Sequence, residues 1–373
     1  TLSLTIAGLG GQEITAEVVA VSETDPDSTP GDGEGDDFAT IDGLFGGLSG
    51  LIEGTEDDDV LTAVGTDDTI NAGDGDDILR PGGGIDEMTG GPGQDQFVGR
   101  PQDLNGDTIQ DLTPNDTLVV EGVTFGADDV TLVDGPPPAI EIDTDGDGTS
   151  DTTILLGSAP DGPGGFLAWQ RGSDTRLSFQ ERLADIGEAR ALAAEDVNGI
   201  ANQDLLTGDG TASFEATIDA RAAAAFDNVL GVYEVDASGN ISDVRILAND
   251  ASATTGALAI GGVEAGNTLG FFIIQDGADI AEDLLPTDTL IFVDDTGAAA
   301  NADAGAPIIL NVNGTAVDAP VFHSYAEELN ADGVQHAISG LSEDGSALII
   351  GFEDLVGGGD RDYQDVLFSI EIL

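Results

Sequence analysis

Apolar residues recur along this chain in three rhythms. Near the start, Leu2, Leu4 and Ile6 alternate with polar neighbours and predict a short strand. Between Gly54 and Val98 one apolar residue returns at every ninth position: Leu61, Ile70, Leu79, Met88 and Phe97. From about Asp204 onward, short apolar runs are punctuated by Gly, Asn and Asp: SFEATI, VLGVYEV, ISDVRIL, LGFFIIQ, TLIFV, PIILN, PVFHSY, ALIIGFE and VLFSIEI. These runs over residues 205–373 predict one antiparallel β-sandwich, with the DASGN turn at 236–240 joining two strands as a hairpin. Two stretches break the rhythm. In NGDTIQDLTPNDTLVVEGVTF, residues 105–125, Ile109, Leu112, Leu118 and Val120 bracket Pro114-Asn115 and predict a hairpin closing the exposed end of the repeats. In residues 171–204, Ser178 with Glu181 makes a capping box and Phe179, Leu183 and Ile186 fall at i, i+4 and i+7, which predicts one connecting helix.

Aligned in nines, the repeat region reads GTEDDDVLT, AVGTDDTIN, AGDGDDILR, PGGGIDEMT, GGPGQDQFV. Position six is Asp59, Asp68, Asp77, Asp86 and Asp95 without exception, and the last three units add the glycine pairs Gly73/Gly75, Gly82/Gly84 and Gly91/Gly93. The pattern resembles the calcium-binding nonapeptide of secreted RTX proteins, GGxGxDxUx, whose fold is a parallel β-roll. The first two units lack most of the glycines and read as degenerate lead-in turns. The resemblance implies two nonapeptides per coil, so that aspartates eighteen residues apart stack: Asp59, Asp77 and Asp95 on one flank, Asp68 and Asp86 on the other. Stacked like charges repel, and so thin a core cannot absorb that repulsion without a cation. Calcium suits such a site because it is hard, takes six to eight oxygens and tolerates irregular geometry, with turn carbonyls serving beside carboxylates. The opposing reading is a glycine-rich acidic surface loop.

Two shorter acidic segments carry a related spacing. DTDGDGTSD, residues 143–151, places Asp143, Asp145, Asp147 and Asp151 at positions 1, 3, 5 and 9 with Gly148 at 6, the early ligand positions of an EF-hand-like loop. Ile154 stands where the bidentate glutamate would be, so the segment reads as a β-hairpin tip that holds a weaker calcium ion or is a solvated turn. Asp103, Asn105, Asp107 and Asp111 repeat the spacing without the glycine, and there the solvated reading is preferred. A third acidic segment closes the chain: Glu353, Asp354, Asp360, Asp362 and Asp365 with the single cation Arg361. Five carboxylates this close cannot all stay ionised without a cation, so a calcium site joining this loop to the last strand is expected. The bland alternative has Asp362 or Asp365 capping backbone amides. LGVYEVD, LGFFIIQDGA and GFEDLVGGGDRDYQDVLFSI make residues 205–373 resemble a domain of unknown function that recurs in secreted bacterial proteins, often beside calcium repeats. That resemblance implies a fold but no activity.

Composition narrows the function. The 373 residues carry 73 acids against 9 basic residues, all arginine, for a net charge of −64. Nucleic-acid binding and attraction to an anionic membrane are excluded by this charge, and no apolar run is long enough for membrane insertion. With neither lysine nor cysteine, Schiff-base, thiolate and disulfide chemistry are excluded too. No HExxH or GxSxG occurs, His323 and His336 fall on or near predicted strands, and His323 with Ser324 reads as packing, so no enzyme is expected. No basic-then-apolar leader precedes Thr1, which reads as processing or export by another route. Residues 53–98 hold thirteen acids against Arg80, denser than the average of the chain. The expectation is a mainly β protein: N-terminal strands and acidic linker (1–44), calcium β-roll with cap (45–125), β-hairpin region (126–170), helical connector (171–204) and β-sandwich (205–373). Its expected role is that of a secreted, cell-surface or extracellular calcium-binding structural protein assembling with copies of itself. The alternatives are a calcium-dependent adhesin for cell-surface glycans or a polysaccharide hydrolase. The RTX resemblance implies export by type I secretion.

Overall fold

The computed structural model describes residues 50–160, 164–183, 192, 197, 199–219, 226–342, 345 and 347–373, with the backbone of three strands upstream. The chain forms two compact units, residues 1–161 with 172–179, and residues 162–171 with 180–373. Among the described residues no helix is long and apolar enough to cross a membrane.

The first unit is built on a coil of two alternating strands. Strands Asp59–Thr62, Ile78–Arg80 and Gln96–Gly99 pair in parallel in one sheet, with Leu61 opposite Leu79 and Leu79 opposite Phe97. Strands Leu51–Glu53, Thr69–Asn71 and Glu87–Thr89 pair the same way in a second sheet, with Ile70 opposite Met88. Each coil therefore contains two nonapeptides, and the position-eight residues Leu61, Ile70, Leu79, Met88 and Phe97 are all fully buried. One apolar side chain per strand is enough because the sheets face each other across a narrow interior. The first two units form coils as regular as the rest. Upstream, Asp37–Thr40 pairs in parallel with Asp59–Thr62, so the roll starts earlier than residue 45. The strand predicted at Leu2, Leu4 and Ile6 is present as Leu2–Ala7, paired antiparallel with Glu13–Val18.

The hairpin expected at 105–125 is corrected. Thr108–Ile109 joins the second sheet beside Glu87–Thr89, and Thr117–Val120 joins the first beside Gln96–Gly99, both in parallel. The segment is one more coil, its frame lengthened by the single turn of helix at Pro101–Leu104. Beyond this coil, antiparallel pairs extend both sheets. Ala139–Ile142 pairs with Thr152–Leu156, which covers Thr108–Ile109, and the hairpin tip expected at 143–151 lies between them. Asp174–Glu181 covers Thr117–Val120, with Leu177 opposite Leu118. This last strand also corrects the helix predicted from Ser178. Residues Leu177, Ser178, Phe179 and Gln180 are all buried, and the Ser178 hydroxyl donates to the Pro114 carbonyl at 3.2 Å rather than capping a helix. An unpaired sheet edge needed a partner, and that demand overrode the local helical spacing. Most of the connector beyond residue 183 lies outside the described residues.

The second unit is a layered antiparallel structure. A five-stranded sheet runs in the order Ala257–Gly262, Ser213–Ile218, Val366–Ile372, Leu348–Phe352, Ala337–Leu341. A four-stranded sheet runs Ile241–Ala248, Val229–Val235, Thr268–Ile274, Val321–His323. Phe214, Phe271, Ile273, Ile350 and Phe368 fill the space between them. A three-stranded sheet, Leu290–Val293, Ile309–Val312 and Thr315–Ala316, shares a second core with the other face of the four-stranded sheet through Tyr233, Phe272, Phe292 and Leu310. Covered on both faces, Val229–Val235 is buried at every position. Its LGVY and the LGFF of Thr268–Ile274 interlock: Gly231 lies opposite Phe272 and Tyr233 opposite Gly270. A Cβ on Gly231 would sit 2.1 Å from the Phe272 ring, so each glycine is the seat of the aromatic ring facing it.

Candidate functional site

The position-six aspartates stand at the corners of the roll, one before each strand, and turn inward. Asp68, Asp77, Asp86 and Asp95 each reach the backbone of the coil before, while Asp59 accepts the Thr55 N–H of its own turn. The Asp77 carboxylate accepts the Asp59 N–H at 2.7 Å and the Asp95 carboxylate accepts that of Asp77 at 3.0 Å. On the other flank, Asp86 accepts the Asp68 N–H at 2.7 Å and Asp68 accepts that of Gly50 at 2.6 Å. The predicted stacking thus appears as two ladders of carboxylate-to-amide bonds. Two residues outside the repeat continue them: Asp107 accepts the Asp86 N–H at 2.9 Å, and Asp116 accepts the Asp95 N–H at 3.0 Å. Both sit before the strands of the extra coil, in NGDTI and PNDTL. The shared Asp-Thr before an apolar residue was the available signal, hidden from a nine-residue frame by offsets of 21 residues.

One oxygen of each ladder carboxylate is thereby engaged; the other is the chemically informative one. The Oδ2 atoms of Asp77, Asp86, Asp95 and Asp107 are buried and have no hydrogen-bond partner among the described residues. Burial pushes these groups up, to about 6 for Asp77 and Asp86, about 7 for Asp107 and about 8 for Asp95. The amide bond on each pulls the other way, while neighbouring aspartates in the ladder push further up. Arg80 and Arg100 do not relieve them, being paired with Glu121 at 2.7 Å and Asp103 at 2.8 Å. Rows of buried, half-bonded carboxyls call for a proton or a cation, and an all-oxygen set fits a hard one.

The predicted glycines Gly73, Gly75, Gly82, Gly84, Gly91 and Gly93 all have positive φ. Close approach matters as much as conformation. A Cβ on Gly91 would lie 1.7 Å from the Gly73 carbonyl oxygen, and one on Gly73 would lie 1.9 Å from that of Thr55. The turns are stacked carbonyl over glycine, one coil on the next. A third row escaped the sequence reading. At position five, Asp58 accepts the Asp76 N–H at 2.7 Å, Asp67 that of Ile85 at 2.9 Å and Asp76 that of Gln94 at 2.7 Å. These exposed acids bond toward the following coil, opposite in direction to position six, and the Asp-Asp doublets at 58, 67 and 76 were their signal.

The other acidic segments divide. At the hairpin tip, Asp143, Asp145 and Asp151 each bring an oxygen within 4.8 Å of the others. Asp147 does not join them; its carboxylate accepts the Thr149 N–H at 2.9 Å. Asp143 titrates below the usual range: desolvation acts upward but is outweighed by amide bonds from Gly148 and Gly146. Asp103, Asn105, Asp107 and Asp111 go separate ways, to Arg100, to the Thr153 N–H, to the ladder, and to the N–H groups of Gly90 and Gly91. The four do not converge on one point, and Asp107 is fully buried rather than solvated, which corrects the solvated reading at that position.

The closing segment 353–365 joins the paired strands Leu348–Phe352 and Val366–Ile372. It gathers all five predicted carboxylates in two triads sharing Glu353: Glu353, Asp360 and Asp362, and Glu353, Asp354 and Asp365, with oxygens within 4.8 Å in each. Glu353 accepts the Arg361 and Leu355 N–H groups at 2.9 and 3.2 Å, Asp365 the Asp354 N–H at 2.9 Å, and Asp354 the Asn228 amide at 2.6 Å. Burial pushes Asp365 up to about 8 and also raises Glu353 and Asp354. His336 stacks on Phe322 and also ties the loop down. Its ring bonds the Glu353 carbonyl at 2.8 Å and Asp332 at 3.0 Å, and Asp332 holds the Gly357 N–H at 2.7 Å. His323 is wholly buried among Tyr233, Phe272 and Phe292.

No curated protein matches this chain. The strands around the five-carboxylate loop, and the loop itself, fall within residues 263–372, which match the model of a domain of unknown function, DUF4114.

Proposed function

We propose that this chain is a secreted calcium-binding structural protein of a bacterial cell surface or extracellular matrix, folded by calcium and able to assemble with copies of itself. The observation that carries the reading is the buried, unpartnered Oδ2 on Asp77, Asp86, Asp95 and Asp107, repeated at each coil beside stacked turn carbonyls. Calcium between coils would supply the missing partner and offset the repulsion along each ladder. The resemblance of the repeat to RTX nonapeptides, and the acid-rich composition, support the same ion and an extracellular setting in which it is abundant. The clusters at 143–151 and 353–365 would take further ions. A catalytic role has no support from the site, which offers oxygen ligands but no nucleophile with an adjacent base.

The test uses the natural placement of chromophores. Trp169 and the three tyrosines, Tyr233, Tyr325 and Tyr363, all belong to the second unit. Chelation with EGTA at neutral pH is expected to remove a large part of the far-ultraviolet β signal while the near-ultraviolet signal of the buried Tyr233 and Tyr363 stays nearly unchanged; readdition of calcium restores the β signal. Retention of the full β signal in EGTA would sink the reading. Particle size by scattering, with and without calcium, then tests assembly.

A further inference from the structure

The sheet that carries Glu87–Thr89 and Thr108–Ile109 runs on through Thr152–Leu156 and Ala139–Ile142 and ends on Val130–Val133. Among the described residues no strand pairs with the outer side of Val130–Val133. Two bonds fix which backbone groups face that side. The Asp143 N–H donates to the Asp129 carbonyl at 3.0 Å, and the Leu156 N–H to the Pro138 carbonyl at 2.9 Å. In an antiparallel ladder the groups of successive residues point to alternate sides. Residues 129, 131 and 133 therefore face the neighbouring strand, while the N–H and C=O of Leu132 and the C=O of Val130 point out of the sheet edge. The Val130 N–H is already used, donating to the Ala127 carbonyl.

The side chains set this edge apart. VTLV carries no charge in a chain with 73 acids, whereas exposed edge strands are ordinarily blunted by a charge, a proline or a bulge. Val130 and Leu132 lie opposite Ile142 and Ile140, which are fully buried in the roll, yet are themselves only half-buried. They are an outermost row of the roll interior, left part uncovered. We propose that Val130–Val133 pairs antiparallel with the same strand of a second copy about a two-fold axis at Leu132, joining two rolls end to end through one continuous sheet. The free groups are their own complement: the Leu132 N–H and C=O meet the C=O and N–H of their counterpart, and the Val130 carbonyl meets the Asp134 N–H. Val130 and Leu132 of the two copies extend each other's apolar row, which a partner of the same sequence matches in length and position. Asp128 and Asp129 before the strand, and Asp134 with Pro136-Pro137 after it, confine the pairing to these few residues. A contact this small belongs with weak, transient interfaces, with a dissociation constant on the order of 100 μM. The flanking acids repel across it, so salt and calcium strengthen it. The inference rests on the self-assembly proposed above and gives it a surface.

The chain has no cysteine, so a single introduced thiol reports its own neighbour. A two-fold axis at Leu132 brings the two Cα atoms there to about 5.5 Å, within disulfide range. Under mild oxidation of the calcium-loaded full chain, Leu132→Cys is expected to cross-link about tenfold faster than Ala237→Cys, on an exposed turn of the second unit. Sedimentation equilibrium of the wild type should show a dimer that strengthens as sodium chloride rises from about 0.05 to about 0.5 M. Leu132→Pro removes the outward N–H without touching the bonds to Ala139–Ile142, and should leave a folded monomer. Thr131→Asp adds a charge at an exposed position of the same strand and should also give a monomer. A wild type that stays monomeric at every salt concentration, or equal cross-linking of Leu132→Cys and Ala237→Cys, would overturn the proposal. Wild-type dimers that persist in both Leu132→Pro and Thr131→Asp would overturn this surface while leaving self-assembly standing.

Discussion

In the roll, carboxylates line the interior at every half-coil; in the second unit they are gathered in one loop between two strands, and the interior is left to aromatic and aliphatic side chains. The roll buries one large apolar residue per strand, Leu61, Ile70, Leu79, Met88 and Phe97 in turn, and stacks its acids beside them. The layered unit buries whole strands, such as Val229–Val235, and locks them with reciprocal glycine–aromatic pairs. The same excess of negative charge therefore plays two roles. Where the apolar core is thin, folding depends on what neutralises the acids; where it is thick, the acids modify one loop and the fold stands without them.

Gly91→Val should produce the largest effect, because a Cβ there meets the Gly73 carbonyl at 1.7 Å and the φ of +107° is one that β-branched residues avoid. Loss of the roll transition in calorimetry is expected, with the second unit's transition kept. Gly122→Ala is the matched control: φ is +76° but nothing lies near, so the change should cost only about 1 to 2 kcal/mol.

Asp95→Asn comes next and separates charge from hydrogen bonding. The amide can keep the bond to Asp77 N–H through its oxygen, and its NH2 replaces an Oδ2 that has no partner. Without calcium the variant roll should melt a few degrees higher than the wild type at pH 8, and calcium should raise its midpoint less. Glu353→Gln makes the contrast, since both Glu353 oxygens accept backbone N–H groups and one of these would face an NH2 instead. A loss of about 1 to 3 kcal/mol from the second unit is expected on that account, with the roll unaffected.

Acidity should move the two regions differently. Folded Asp77, Asp86, Asp107 and Asp95 titrate at about 6, 6, 7 and 8, against an ordinary 3.8. The folded roll thus holds protons that the unfolded chain releases, so its metal-free stability is full below about pH 4 and falls as pH rises toward 8. Chelated protein scanned from pH 8 to pH 5 should show the roll midpoint rising. His323 works in the other sense: burial pushes it from 6.5 down to about 3, so its contribution is complete above pH 6.5 and lost as pH falls toward 3. His323→Phe is the smallest change proposed, within about 1 kcal/mol at pH 7, and should flatten the acid limb of the second unit's melting profile.

Much of this organisation could be read in the sequence wherever one local rule repeats. Position six, position eight and the glycine pairs gave the coil because each nonapeptide solves the same packing problem. All nine apolar runs named in the second unit are strands, but Ala257–Gly262 and Ala337–Leu341 went unnoticed, their apolar positions diluted by glycine and alanine. Failures came where a distant partner decided. Residues 105–125 looked like a hairpin because the helical turn at Pro101–Leu104 shifted them out of frame, and Asp174–Glu181 looked helical because the sheet edge it covers is more than fifty residues away in sequence. Upstream, GEGDDFAT at 33–40 carries the same Gly-x-Gly-Asp-Asp sequence as the third repeat, residues 73–77, and the strand pairing at Asp37–Thr40 falls on it. For the acidic site, the ladder was legible in its spacing; that one oxygen bonds an amide and the other is left over was not, since it depends on which way the corner side chain turns.

The central claim, that the roll and only the roll requires calcium to hold its fold, is met most directly by amide hydrogen exchange of the full chain at neutral pH with calcium and with EGTA. The account predicts that protection across residues 59–120 collapses on chelation, while that of the strands Val229–Val235 and Thr268–Ile274 is unchanged. Equal protection of residues 59–120 in both conditions would contradict it.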